Sequence, residues 1–244
     1  MSKEKESTFE NILAIDTATE AITVALLKGG EAHFKREVGY GAHSQHAIPF
    51  IDALLKEAHL DLSEIDAIAF GAGPGAFTGL RVACGIAQGI GWAREIPLVP
   101  VSNLAATAFA LEERGIKAEG RILSALDARM HACYVEVFEA SAGGVPKSLT
   151  SAALMAPEDI ASFAEKEGVT LFSGEAFRVY EKDIKVAQDA GKIFAEPTDA
   201  LRIAKLGRLI ALAGGTVSAA VAAPIYVRNR VALTIDERAK GEVL

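Results

Sequence analysis

Two aspartates in this chain are placed where they can help to hold a nucleotide and its metal ion. Asp16 ends the apolar run 12–16, and Asp127 ends the apolar run 123–127. In two-lobed nucleotide-binding proteins, aspartates at strand ends flank the phosphates and their Mg²⁺, beside turns whose backbone N–H groups face the anion. The sequence therefore predicts two strand–turn units facing one cleft.

The turns that follow these aspartates are poorly suited to binding phosphate. Such turns are normally rich in Gly, because the backbone must come close to the ligand. The first turn keeps Thr17 and Thr19 but has no glycine, and the second has Arg129 and Met130 where glycine would be needed. Arg129 could contact a phosphate itself, but a salt bridge within the fold is its more ordinary role. The prediction is a vestigial nucleotide cleft made of Asp16, Thr17, Thr19, Asp127, Arg129 and Gly174.

Other patterns of catalytic residues are weak. His43 and His46 would share one face of a helix, but a catalytic zinc ion usually has three protein ligands, and the chain has no HExxH motif. We therefore interpret both histidines as residues at a helix start. His131 has no carboxylate or cysteine cluster close to it in sequence, and no GxSxG motif is present. The sequence predicts no catalytic residue, no metal ligand and no cofactor bound tightly by this chain.

The segment 71–81, GAGPGAFTGLR, is a Gly-rich loop that leads from an apolar strand into a helix. Such a loop can present N–H groups to an anion, or it can be a structural turn. Along the helix, Val82, Ile86 and Ile90 predict a core-facing stripe. A second face carries Arg81, Gly85, Gln88, Gly89 and Trp92. Each glycine inside a helix costs roughly 1 kcal/mol relative to alanine, so this face suggests close packing against either the chain's own sheet or another protein.

An internal repeat indicates the fold class. The sequence ILAID at 12–16 is matched by LSALD at 123–127, and each is followed by a second apolar strand. Apolar strands alternate with helical segments, which indicates an α/β fold of two related lobes with mixed sheets. We expect a flexible N-terminal tail at 1–11, a first lobe at 12–102 and a second lobe at 103–244.

Composition limits the classes of function. The chain has 244 residues and a formal net charge of −7, which disfavours direct binding of a nucleic acid backbone. Cys84 and Cys133 lie in apolar segments without a metal-ligand spacing, as expected for core thiols in a reducing compartment. The polar N-terminus does not resemble a signal peptide, and Gly and Pro interrupt the apolar segment 209–227, which we predict to be a helix, a turn and a strand. These features predict a cytoplasmic protein that makes no contact with membranes.

Several motifs, taken in order, resemble the bacterial TsaB family, also called YeaZ. They are ILAIDTATEAITVALL, HSQHAIPFIDALL, GAGPGAFTGLRVACGIAQGI, IPLVPVSNLAA, ALDARMHACYVEVF and PIYVR, and they extend from residue 12 to residue 228. The resemblance implies a two-lobed actin-like duplication of the ASKHA (ribonuclease H-like) class. It also implies a non-catalytic subunit that acts with a TsaD paralogue and the TsaE ATPase to make N6-threonylcarbamoyladenosine at position 37 of tRNAs reading ANN codons.

The resemblance further implies that two helices form the surface for homodimers and for the TsaD partner. The matching residues here are His43, Ser44, Ile48, Ile51, Leu55, Thr78, Arg81, Gly85, Gln88, Gly89 and Trp92. The family is compatible with ATP or ADP at the surface shared with the partner, and with tRNA contacts made only through the complex. Two alternatives remain open: an enzyme active alone, either an M22-like metallopeptidase or a small-molecule kinase of the ASKHA class, and a self-associating homodimer with a separate role.

Overall fold

A computed structural model describes residues 8–39, 43–113, 120–141, 143–186 and 193–227. These residues form two mixed β-sheets, with helices between the sheets and on their outer faces. The alternation of apolar strands with helices produces this arrangement, because each sheet has two faces that need cover. The predicted α/β fold with mixed sheets is confirmed.

The first sheet has five strands in the order β3-β2-β1-β4-β5. Strand β1 is antiparallel to β2 and parallel to β4, so the Asp16 end of β1 lies beside the glycine-rich end of β4. The inner strands β1, β2 and β4 are buried and mainly apolar, as expected for strands that are covered on both faces. Strand β3 lies at the edge and alternates exposed with half-buried residues. The strands are β1 (Asn11–Asp16), β2 (Ala21–Lys28), β3 (Glu31–Val38), β4 (Ala67–Gly73) and β5 (Leu98–Ser102).

The second sheet repeats the central pairing of the first. Its order is β11-β10-β6-β7-β8, with β9 also paired to β7. Strand β6 is antiparallel to β7 and parallel to β10, as β1 is to β2 and β4. The internal duplication predicted from ILAID and LSALD is therefore confirmed. The strands are β6 (Arg121–Asp127), β7 (Cys133–Glu139), β8 (Lys147–Ser148), β9 (Ala153–Met155), β10 (Val169–Ser173) and β11 (Ile193–Phe194).

Six helices cover these sheets in the described part of the chain. Helices α1 and α2 pack on the outer face of the first sheet, whereas α4 and α5 cover the outer face of the second. Helices α3 and α6 lie in the apolar core between the sheets. The helices are α1 (His43–Ala58), α2 (Phe77–Arg94), α3 (Asn103–Glu113), α4 (Ile160–Lys166), α5 (Ala176–Val179) and α6 (Ala200–Leu212).

Helix α6 packs back on the first sheet, although it comes late in the chain. It contacts β1, β2, β4 and β5, and the N–H of Ala200 donates to the hydroxyl of Thr23 on β2 at 2.9 Å. This contact crosses the predicted division between 12–102 and 103–244, which stays a prediction. Of the predicted tail, residues 1–7 lie outside the described residues, and β1 already begins at Asn11.

Other predictions fall on smaller features. Ser102 caps helix α3, since its Oγ accepts a hydrogen bond from the N–H of Ala105 at 3.2 Å. Cys84 and Cys133 are buried free thiols. The strand predicted near the end of 209–227 is wrong, because Val217 alone forms an isolated bridge, to Leu98. Within the described ranges, no helix has both the length and the apolar character needed to cross a lipid bilayer.

Candidate functional sites: the cleft and the α1–α2 surface

A cleft of about 140 Å³ lies where the turns after β1 and β6 face each other. The predicted residues Thr19, Asp127 and Arg129 line it, together with Arg36, Glu175 and Arg178, which the sequence analysis missed. The three added side chains come from β3, from the turn after β10 and from α5, so no local motif links them to the aspartates. The three arginines and the carboxylates together make the cleft polar and of mixed charge.

Asp16 does not line the cleft, contrary to its predicted role there. The residue is 1% exposed, and its Oδ1 accepts hydrogen bonds from the N–H of Ala18 at 3.1 Å and from Nδ2 of Asn103 at 3.2 Å. Burial raises the pKa of Asp16 to about 6. A Cβ at Gly71 would overlap this carboxylate. The strand-end aspartate is therefore enclosed by β4 and α3 and joins elements of the core.

Thr17 and Gly174 are also buried behind the cleft. The Thr17 hydroxyl donates to the carbonyl oxygen of Gly79 at 2.6 Å, so it holds the first turn of α2. Gly174 has a φ of +115°, and a Cβ there would overlap the carbonyl oxygen of Ala125. Both residues support neighbouring backbone, and neither is among the residues that line the cleft.

Asp127 and Arg129 pair with each other at the mouth of the cleft. Oδ1 of Asp127 accepts from the N–H of Arg129 and from the hydroxyl of Tyr180, both at 2.8 Å. An Nη atom of Arg129 lies 3.0 Å from Oδ2 of the same carboxylate. The arginine therefore forms the intramolecular salt bridge that we expected, and the Asp127 carboxylate is already engaged.

Glu175 lines the cleft, and its carboxyl group has a raised pKa. Its Oε1 accepts from the N–H of Asp127 at 3.4 Å, while its buried Oε2 has no hydrogen-bond partner among the described residues. Burial raises its pKa to about 7, and the negative charges of Asp127 and Asp16 add to this rise. A carboxyl group of this kind can hold a proton near neutral pH.

The second candidate site is the outer surface of helices α1 and α2. On α1, Ile48 is 52% exposed, whereas Ile51 is 5% exposed and packs in the core. Ile51 was predicted to be a contact residue, and this is corrected because helical periodicity turns it toward the sheet. Leu55 is half-buried against the same core, and the side chains of His43 and Ser44 lie outside the described residues.

Helix α2 exposes most of the face that was predicted for contacts. Thr78, Arg81, Gly85 and Gly89 are exposed, and Trp92 is 72% exposed. The core-facing stripe is rotated from the predicted one. Val82, Ile86 and Ile90 are only half-buried, whereas the buried residues are Gly79, Leu80, Ala83, Cys84, Ala87 and Gly91.

Glycines on α2 fall into two groups. A Cβ at Gly79 would overlap the carbonyl oxygen of Thr17, and a Cβ at Gly91 would press on Leu98, so these two allow the chain to pack on itself. A Cβ added at Gly85 or Gly89 would meet nothing within 4 Å. Close packing against the described part of this chain's own sheet therefore does not explain them.

Polar contacts fix the rest of the α2 surface. The guanidinium of Arg81 lies 4.0 Å from the ring centroid of Phe77, and its Nε donates to the Tyr226 hydroxyl at 3.1 Å. Gln88 is half-buried, and its amide donates to the carbonyl oxygens of Ala219 and Ala222. Gln88 therefore secures the chain that follows α6, whereas Arg81 and Phe77 form a small polar–aromatic patch.

A family model described as "TsaD: tRNA N6-adenosine threonylcarbamoyltransferase" matches residues 37–232. A Haemophilus influenzae protein named "tRNA threonylcarbamoyladenosine biosynthesis protein TsaB" is 34% identical over 231 residues, which cover 90% of this chain and 94% of the relative. This chain belongs to the TsaB family.

Further relatives agree with the TsaB assignment. The TsaB protein of Escherichia coli is 35% identical over 227 residues, covering 91% of this chain and 96% of that protein. The solved structure of YeaZ from Pseudomonas aeruginosa is 34% identical, covers 89% of this chain and 99% of its own, and superposes with a TM-score of 0.77. The resemblance drawn from the sequence motifs and the two-lobed actin-like fold that it implies are both confirmed.

Proposed function

We propose that this chain is a non-catalytic interaction subunit in the synthesis of threonylcarbamoyladenosine in tRNA, acting with a TsaD paralogue and the TsaE ATPase. The TsaB relatives are named for that biosynthesis. The observation that carries the proposal is the pair Gly85 and Gly89, each with open space where a Cβ would be, on a helix that also exposes Trp92.

An exposed helix face of this composition is costly unless something packs on it. Each of the two glycines destabilises the isolated helix by roughly 1 kcal/mol relative to alanine. Trp and Arg are enriched at the residues that dominate binding energy, and small residues let a second backbone approach closely. A partner helix laid over Gly85 and Gly89, with Trp92 and Arg81 beside it, would account for this face.

The geometry of the cleft supports the proposal that this subunit is not catalytic. Asp16 is enclosed by Asn103 and Ala18, and Asp127 is paired with Arg129. Neither carboxylate is free to hold a nucleotide metal ion in the usual way. We assign ATP or ADP, where one is bound, to the surface shared with the partner, and tRNA contacts to the complex, since a net charge of −7 disfavours direct binding.

The test is association with a purified TsaD protein. Gly85→Trp and Arg81→Glu should leave the chain folded and weaken binding by at least about tenfold, which corresponds to roughly 1.4 kcal/mol. Gly30→Trp is the matched control, because Gly30 is also exposed with nothing within 4 Å of a Cβ, but lies in the β2–β3 turn. Folded variants at 81 and 85 that bind as tightly as wild type would refute the α2 surface.

Three further measurements separate the alternatives. Reconstitution of the tRNA modification with and without this chain should show that the chain is required, while the isolated chain should neither hydrolyse ATP nor cleave peptides. Turnover by the isolated chain would favour the M22-like metallopeptidase or the small-molecule kinase. Mass in solution with and without TsaD tests the homodimer, which we expect to use the same surface and to dissociate when TsaD binds.

A further inference from the structure

Three side chains that are far apart in sequence meet beside the β6–β7 turn. They are His131, Glu158 and Asp183, and one ligand atom from each lies within 4.8 Å of the other two. Among the described residues, this is the group of three His, Cys, Asp or Glu side chains whose ligand atoms lie close enough together to hold one metal ion. The sequence alone does not indicate this group, because the two carboxylate neighbours of His131 are more than 25 residues away in the chain.

The backbone holds His131 in an unusual conformation. Arg129, Met130 and His131 have φ values of 60°, 54° and 53°, so three successive residues with side chains are left-handed. Each such residue costs roughly 1–2 kcal/mol, and such strain is concentrated at functional sites. In this turn, Nε2 of His131 lies 2.6 Å from Oε1 of Glu158.

Tyr180 contacts both the ring of His131 and the segment that carries Asp183. The edge of the His131 ring faces Tyr180, with centroids 5.6 Å apart, and the Tyr180 hydroxyl donates to Asp127 at 2.8 Å. The N–H of Asp183 donates to the carbonyl oxygen of Tyr180 at 3.0 Å, so the same tyrosine is linked to both ligand-bearing segments. Outer contacts of this kind orient metal-binding histidines.

The charge and the atom types suit a cation better than a second anion or a neutral ligand. Two carboxylates face one imidazole, so the negative charge of the group favours a cation. One imidazole nitrogen and two carboxylate oxygens form a ligand set used for zinc, and three protein ligands leave a fourth position for water.

We propose that His131, Glu158 and Asp183 bind one zinc-class divalent ion. The ion binds one imidazole nitrogen of His131 and one carboxylate oxygen each of Glu158 and Asp183. Zinc–ligand distances of about 2.0–2.2 Å require a small opening of the His131–Glu158 pair and a small approach of Asp183. The bound ion joins the β6–β7 turn to the segments that precede α4 and follow α5. This site does not depend on the proposed docking surface.

The experiment is a Zn²⁺ titration of the full chain, free of histidine tags, against a chromophoric chelator. We expect one equivalent to bind, and we expect His131→Ala and Glu158→Gln to lower the affinity by more than about tenfold, since even outer partners of a metal site contribute about 10–100-fold. Asp183→Asn should lower it as well. Zn²⁺ should also raise the melting temperature of the wild-type chain, but not that of His131→Ala.

His46→Ala is the matched control. His46 also pairs with one carboxylate, at 2.8 Å to Glu37, but it belongs to no group of three within the described residues. The His46→Ala variant should bind Zn²⁺ as tightly as the wild type does. The proposal is overturned if the wild type binds no more Zn²⁺ than His131→Ala, or if His46→Ala abolishes binding and His131→Ala does not. None of these readouts depends on a partner protein.

Discussion

The Oγ1 hydroxyl of Thr17 donates a 2.6 Å hydrogen bond to the carbonyl oxygen of Gly79, and no Cβ fits between the two backbones at this point. The turn after β1 and the first turn of α2 are therefore in direct contact. Since α2 also carries the exposed glycines and Trp92, this contact sets the position of the proposed docking surface. A residue predicted to belong to the nucleotide cleft instead holds the first turn of α2.

Gly79→Ala should destabilise the fold by about 3 kcal/mol or more, because the added methyl overlaps the Thr17 carbonyl oxygen in a tightly packed region. Gly85→Ala, on the same helix, should stabilise the isolated chain by about 0.5–1 kcal/mol, because its Cβ meets nothing. Urea unfolding of both variants measures the difference. Equal effects of the two substitutions would contradict the described packing of α2.

Met130→Gly should stabilise the chain by about 0.5–1 kcal/mol. Met130 has a φ of 54°, which glycine adopts without the cost that a Cβ imposes. Ala132→Gly is the control, since Ala132 is not among the residues with positive φ, and it should lose stability through the greater entropy of the unfolded chain. Chemical denaturation measures both changes. If both substitutions destabilise equally, the turn is not strained as described.

Much of the fold follows from local sequence pattern. The apolar runs that end in Asp16 and Asp127 predict the two central strands, and their repeat predicts the duplication, because a strand buried on both faces must be continuously apolar. The return of α6 to the first sheet could not be predicted in this way. It depends on contacts such as that of Ala200 with Thr23, which join residues 177 positions apart.

The sites were predicted less completely for the same reason. Helical spacing predicts one shared face for Arg81, Gly85 and Trp92, and all three are exposed, although the observed core stripe is rotated from the predicted one. Glu175 and Asp183 carry no local signal, since each matters only through a side chain far away in sequence. Asp16 was placed at the correct strand end, but its enclosure by Asn103 depends on tertiary structure.

Asp16→Ala should destabilise the fold by about 2–3 kcal/mol, because Nδ2 of Asn103 and the N–H of Ala18 lose a buried acceptor. A double-mutant cycle with Asn103→Ala should give a coupling energy above about 0.5 kcal/mol, as expected for residues in direct contact. Equilibrium unfolding of the four chains provides the measurement. Additive effects would mean that the two side chains do not support each other.

Glu175→Gln should change the pH dependence of stability. The folded state raises the pKa of Glu175 from 4.5 to about 7, so between these values the folded chain keeps a proton that the unfolded chain has released. The contribution of Glu175 to the free energy of unfolding of the wild type is therefore fully present below about pH 4.5. It is lost as the pH rises through about 7. Gln cannot ionise, so the variant should gain stability relative to wild type over this range, by about 1–3 kcal/mol at pH 8.

Charged neighbours of Glu175 set the conditions of this test. Asp127 and Asp16 face it and raise its pKa, whereas Arg36, Arg129 and Arg178 line the same cleft. Comparing wild type and variant at each pH removes the contributions of groups that titrate equally in both. Glu165→Gln, at an exposed position on α4, is the matched control for replacing a carboxylate by an amide. A difference between Glu175→Gln and wild type that stays constant between pH 5 and pH 8 would show that Glu175 does not titrate as a buried acid.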